Sequence, residues 1–120
     1  MWQVQLTEPF EEWLLQQDSG LRKRVAAALL NLQHYGLLLP RPYADTVSGS
    51  RFHNMKELRV QYAGHPIRAF YAFDIQRKAI VLCAGDKTGD KHFYQRMIES
   101  ADEIFSCHLA DLEGKANDGP

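Results

Sequence analysis

The run MKELRVQYAGHPIRAFYAFDIQRKAIVLCAG, residues 55–85, decides how this chain folds. From Lys56 to Tyr62 apolar and polar residues alternate. Leu58, Val60 and Tyr62 fall on one side, and Glu57, Arg59 and Gln61 on the other, the period of a half-buried strand. Ala63, Gly64, His65 and Pro66 read as a turn. Ile67–Asp74 is a second strand, dense in Phe70, Tyr71 and Phe73, and residues 75–78 form a polar turn. Ala79–Ala84 is unbroken apolar sequence, the mark of a strand covered on both faces. Together these residues predict an antiparallel meander.

Outward from the meander the other elements follow. Trp2, Val4 and Leu6 alternate as a short strand. Thr7 and Pro9 open a helix carrying Phe10, Trp13 and Leu14 on one stripe. Asp18 and Ser19 cap a second helix, residues 21–35, with Leu21, Val25, Ala28, Leu29 and Leu32 on one face and Gly36 as its stop. Residues 37–50 hold Pro40, Pro42 and Gly49 and read as a loop. Asp90 caps a last helix to about Phe105, its apolar stripe being Phe93, Met97, Ile98, Ala101, Ile104 and Phe105. The expected fold is α+β: a two-helix hairpin packed on a four-stranded, mainly antiparallel sheet, with a C-terminal helix. Residues 1–108 are expected to form one domain, and residues 109–120 an acidic flexible tail.

The formal net charge of −1 conceals a strong polarity. Residues 51–96 carry nine Lys or Arg against four Asp or Glu, whereas residues 97–120 carry one Lys against six acids. A basic, well-patterned sheet points to a polyanion. No apolar run reaches membrane-span length and no secretory pattern opens the chain, so a soluble cytoplasmic protein is expected. Cys83 reads as a small hydrophobe in a strand and Cys107 as a helix-end residue. The five histidines lack metal-binding spacing, so neither metal nor cofactor is expected. No serine sits in a GxSxG elbow. Gly85–Gly89 has the wrong spacing for a phosphate loop.

The basic residues separate by position. Arg59 and Arg68 interrupt well-packed strands. Lys87 follows the apolar strand, and Lys91, His92 and Tyr94 open the last helix. Arg59, Arg68, Lys87, Lys91 and Tyr94 can converge on one concave face. Arg51, Lys56, Arg77 and Lys78 read as solvated charge.

The runs MKELRVQYAGHPIRAFYAFD and IVLCAGDKTGDKHFYQRMIESADEIF resemble the RelE/ParE toxin superfamily, most closely its phage-derived, HigB-like branch. The resemblance spans about residues 2–105. It implies the toxin of a type II toxin–antitoxin system, a metal-independent endoribonuclease that cuts mRNA on the ribosome. The messenger's 2′-hydroxyl attacks the adjacent phosphate, leaving a 2′,3′-cyclic phosphate. It implies phosphate binding and transition-state stabilisation for Arg59 and Arg68, charge stabilisation or proton transfer for Lys87 and Lys91, and the remaining proton transfer for His92 or Tyr94. Arg51, Lys56 and Tyr71 are expected to extend the RNA-binding surface. The implied partner is a helix-turn-helix, HigA-like antitoxin. The superfamily also contains ParE-type inhibitors of DNA gyrase, and an inactive nucleic-acid-binding relative is a further alternative.

Overall fold

A computed structural model describes residues 1–117, with side chains through residue 114. The sheet has five strands: β1 (Val4–Leu6), β2 (Ala44–Thr46), β3 (Lys56–Tyr62), β4 (His65–Phe73) and β5 (Ala79–Asp86). Their spatial order is β1-β5-β4-β3-β2. β1 runs parallel to β5, and the other pairs are antiparallel. The fold is the expected α+β arrangement, with β2 as an added edge strand. Three residues between a proline-rich loop and a polar bend leave almost no alternation to read. β2 is pinned because Ala44 pairs with Leu58 and the Arg59 amide donates to the Tyr43 carbonyl.

The β3–β4 hairpin is tighter than expected. Tyr62 pairs with His65, so the turn is only Ala63-Gly64, both at positive φ (51° and 79°). Two consecutive positive φ values are what a two-residue hairpin needs to match strand twist. β5 extends through Gly85 and Asp86, and the Lys87 amide carries the ladder one step further to the Pro66 carbonyl.

α1 (Glu8–Leu15) packs on β5 and α2 (Ser19–Tyr35) packs on β3, side by side on one face of the sheet. Asp18 caps α2, accepting the Leu21 amide at 2.8 Å. Thr7 precedes α1 without capping it; its Oγ1 lies 2.8 Å and 2.9 Å from the Leu82 and Val81 carbonyls and ties the helix to β5. Gly36 ends α2 at φ 54°, with the Trp2 ring where a Cβ would stand.

α3 (Phe93–Asn117) covers part of the other face. It does not stop near Phe105. Leu109 still packs on the α3-side core, and the helix carries residues of the acidic stretch that was expected to be flexible. Residues 118–120 of that stretch lie outside the described residues. The result is two cores, one on each face of the sheet. Phe10, Val25, Leu58, Val60, Tyr71 and Val81 fill the α1–α2 side, and Met55, Phe70, Ile80, Leu82, Phe93 and Phe105 the α3 side. At the step from Phe70 to Tyr71 the β4–β5 register slips, so that Cys83 opposes Phe70 and Val81 opposes Tyr71. Leu82 is thus the extra residue of a bulge, and it shares the α3 side with Cys83.

Candidate functional site

β3 and β4 place Arg59 directly opposite Arg68, and Glu57 directly opposite Phe70. All four project toward the α3 side, where Phe70 meets the first turn of α3. Two guanidinium groups side by side repel, so something must compensate. Glu57 does. It is only 3% exposed, and its carboxylate lies 3.3 Å from Arg59 Nε and 3.6 Å from Arg68 Nε. The Tyr94 hydroxyl, at the start of α3, donates to Glu57 Oε1 at 2.7 Å. Arg59 also reaches Asp45 on β2 at 3.3 Å, and Arg41 meets the same carboxylate at 3.1 Å. Burial would raise the Asp45 pKa, but the hydrogen bond from Arg41, the Thr46 amide and the nearby arginine charges bring it below its ordinary value.

The arginines differ in what they can still do. Arg59 is about a third exposed, whereas Arg68 is 11% exposed. Arg68 Nη1 donates to the Ile67 carbonyl at 3.1 Å, but its Nε is enclosed and has no hydrogen-bond partner among the described residues. A buried donor without a partner is costly. The Glu57 carboxylate, 3.6 Å from Nε, offsets part of that cost by charge.

Tyr94 packs edge-on against Phe70 and Phe93, at 6.1 Å and 5.3 Å between ring centroids. Lys87 Nζ stands 5.4 Å above its ring centroid. Burial, and then the bond to Glu57, push the phenol above its ordinary pKa, although Arg68 pulls the other way. At neutral pH it is therefore a proton donor, not a base.

The structure thus brings together Arg59, Arg68, Lys87 and Tyr94 of the expected residues. Lys91 and His92 sit exposed in the turn before α3, and neither side chain hydrogen-bonds to the cluster among the described residues. The adjacent acid Asp90 is occupied: it pairs with Arg96 and accepts the His92 amide. Arg51 lies elsewhere, against Asp102 and Ser106 on α3. Lys56 projects to the opposite side of β3 from Glu57 and bonds Thr46 Oγ1 at 3.2 Å. Tyr71 corrects an expectation. It is 1% exposed in the α1–α2 core, and burial raises its phenol pKa, so it presents no surface to RNA. Cys83 behaves as expected of a small hydrophobe, its thiol pushed up to about 12 by burial.

Glu57 is the residue that sequence reasoning passed over. The signal was present: it shares the parity of Arg59, two residues away, on a strand whose other face is apolar. Among the described residues no group of three or more His, Cys, Asp or Glu is placed to hold a metal ion. No helix among them is long and apolar enough to cross a membrane.

The family described as phage derived protein Gp49-like (DUF891) matches residues 12–106. The chain belongs to this family. The Gp49-like chain is 43% identical over 108 residues to "Putative toxin HigB2" of Mycobacterium tuberculosis, covering 88% of this chain and 54% of that protein. It therefore spans about half the length of HigB2. It is 40% identical over 112 residues to "Putative toxin HigB3" of the same organism, covering 92% of this chain and 96% of that one. Its fold matches E. coli RelE in a mutant solved in the free state, with TM-score 0.56 at 10% identity over 85% of this chain and 95% of that chain. It also matches a chain of the intact E. coli RelBE toxin–antitoxin complex, with TM-score 0.53 at 9% identity over 71% of this chain and 95% of that chain. Both likenesses lie in the fold alone.

Proposed function

We propose that this protein is an endoribonuclease that cuts mRNA on the ribosome and so blocks translation. It is the toxin of a type II toxin–antitoxin system, by its Gp49-like family and its HigB relatives. The observation that carries the nuclease reading is the Glu57-centred cluster: two guanidiniums, a protonated phenol and a carboxylate converge at one end of the sheet.

The residues support an in-line transfer at phosphorus. Arg59 and Arg68 take the scissile phosphate, as two-pronged donors suit its oxygens better than ammonium groups do. Glu57 accepts the proton of the 2′-hydroxyl as that oxygen bonds to phosphorus. The P–O5′ bond breaks, and Tyr94 gives its proton to the departing 5′-oxygen. The products are a 2′,3′-cyclic phosphate and a 5′-hydroxyl. Lys87, above the Tyr94 ring, stabilises the charge that builds on the leaving side. Lys91 and His92, exposed at the rim, serve binding to RNA or ribosome. Arg51 and Lys56 stand outside this arrangement. The antitoxin that restrains the protein is a separate chain, of the helix-turn-helix, HigA-like kind, and the site of action is the cytoplasm.

Expression of the wild type and of Arg68→Ala in bacteria tests this. The wild type should arrest growth with loss of translation and fresh 5′-hydroxyl ends on mRNA, and Arg68→Ala should do neither. Arrest with intact mRNA and altered DNA supercoiling would replace the reading with gyrase inhibition.

A further inference from the structure

Tyr94 belongs to two places. Its hydroxyl joins the arginine cluster through Glu57. Its side chain also lines a separate cavity of about 450 Å³ between α3 and the bend before β3. Its walls are Ser48 and Gly49 on the bend, and Tyr94, Gln95, Ile98 and Glu99 on α3. We propose that this cavity is a nucleobase subsite, holding one of the two bases that flank the scissile phosphate, and that it favours bases with an exocyclic amino group over uracil. The proposal rests on the nuclease reading of the neighbouring cluster.

Four features carry it. First, the position is right: one side chain is shared by both places, so a phosphate at Arg59 and Arg68 leaves its own nucleoside within reach of the cavity. Second, the surfaces suit a flat heterocycle. Tyr94 and Ile98 offer an aromatic and an aliphatic wall, and base stacking on aromatics is a general mode of single-strand recognition. Third, the mouth is open on the bend side. Gly49 stands at φ 92°, and a Cβ there would meet nothing within 4 Å. Fourth, the polar groups set a choice. Asp102, at the far edge, is already bound by Ser50 and by the Arg51 amide. Glu99 is exposed, one helical turn from Gln95, and has no ion-pair or hydrogen-bond partner among the described residues.

A carboxylate accepts and cannot donate. It pairs with the amino groups of cytosine, adenine or guanine, whereas uracil offers it only an N3–H set between two carbonyl oxygens that it repels. It also repels phosphate, so the cavity takes a base and keeps the backbone on the arginine side. Glu99, one of the acids that follow the basic stretch, thus acquires a use.

The test combines cleavage and binding. Ends of mRNA cut by the wild type, Glu99→Gln and Ser48→Phe are mapped in a reconstituted translation system. Uracil at one flanking position should be under-represented about tenfold in wild-type cuts. Glu99→Gln, whose amide can donate, should lift that depletion, and Ser48→Phe should erase preference at that position by filling the cavity. In parallel, amide resonances are followed while cytidine or uridine 5′-monophosphate is added to the free protein. Gly49, Gln95 and Glu99 should shift with the cytidine nucleotide and much less with the uridine one. Cutting by the wild type with profiles unchanged in both variants would overturn the subsite and leave the nuclease standing. Selective shifts without any cutting would overturn the nuclease and leave a nucleotide pocket.

Discussion

Glu57→Ala should destabilise the fold by about 3–4 kcal/mol, an amount set by the exposures around it. The mutation removes the acceptor of the Tyr94 hydroxyl, which lies at 2.7 Å. A lost hydrogen bond of this kind costs about 1 kcal/mol. It also strips the counter-charge from Arg68, whose side chain is 11% exposed. Removing one partner of a buried ion pair costs about 3–5 kcal/mol, because the other charge stays buried. The Arg68 pair is long, at 3.6 Å, which places it at the low end. Arg59 is 35% exposed and keeps Asp45, so its share is small. For a chain of this size the thermal midpoint should fall by on the order of 10 °C, read by circular dichroism. The companion variant is Glu57→Met with Arg68→Met. Removing both charges and filling the space should recover at least half the loss, as replaced buried pairs often do. A Glu57→Ala loss below about 1 kcal/mol, or a double variant as unstable as the sum of its singles, would refute a charge-clamped site.

Tyr94→Phe keeps the ring beneath Lys87 and removes only the donor; single-turnover cleavage should fall on the order of 100-fold, and the lost bond to the buried Glu57, worth about 1 kcal/mol, should lower the thermal midpoint by about 4 °C. Asp74 is fully enclosed and pairs with His108 at 2.8 Å. Burial alone would raise its pKa, but the bonds from His108 and the Lys78 and Gln76 amides lower it from 3.8. A lowered folded-state pKa means stability that is full above about 3.9, the unfolded value, and lost as pH falls through the folded one. The stability gap between wild type and Asp74→Asn should therefore be wide at pH 7 and narrow in acid titrations below pH 4. Gly36→Ala forces a Cβ into the Trp2 ring at φ 54°, and urea unfolding should show a loss of about 2–3 kcal/mol.

Much of this was legible in the chain. Lys56–Tyr62 and Asp18–Gly36 read correctly because strand alternation, a capping Asp and a stopping Gly are local signals. β2 was not legible, since three residues held by edge pairing carry no period. The sequence implies a wider hairpin than forms, because Gly64 announces one positive φ and nothing in Ala63 announces the second. Glu57 and Arg59 fall opposite the apolar side of a half-buried strand, a position that reads as solvent-facing. Alternation sorts residues into two faces but does not say which face a later helix will cover. α3 covers this one at Phe70 and Tyr94, which is why Glu57 is buried. Tyr71 escaped for a related reason: it shares the parity of Ile67 and Ala69, and alternation does not say that α1 and α2 cover that face. Lys91 and His92 follow Lys87 in sequence, but the turn leaves them exposed while the ladder to Pro66 carries Lys87 onto Tyr94.

The most direct test of the central claim is the chemistry of the cut. Purified wild type and Arg68→Ala would be added to translating ribosomes, and the new mRNA ends analysed. The wild type should leave 2′,3′-cyclic phosphate and 5′-hydroxyl ends, with a yield at least 100-fold lower from Arg68→Ala. Intact mRNA with the wild type, or equal cutting by both proteins, would contradict that claim.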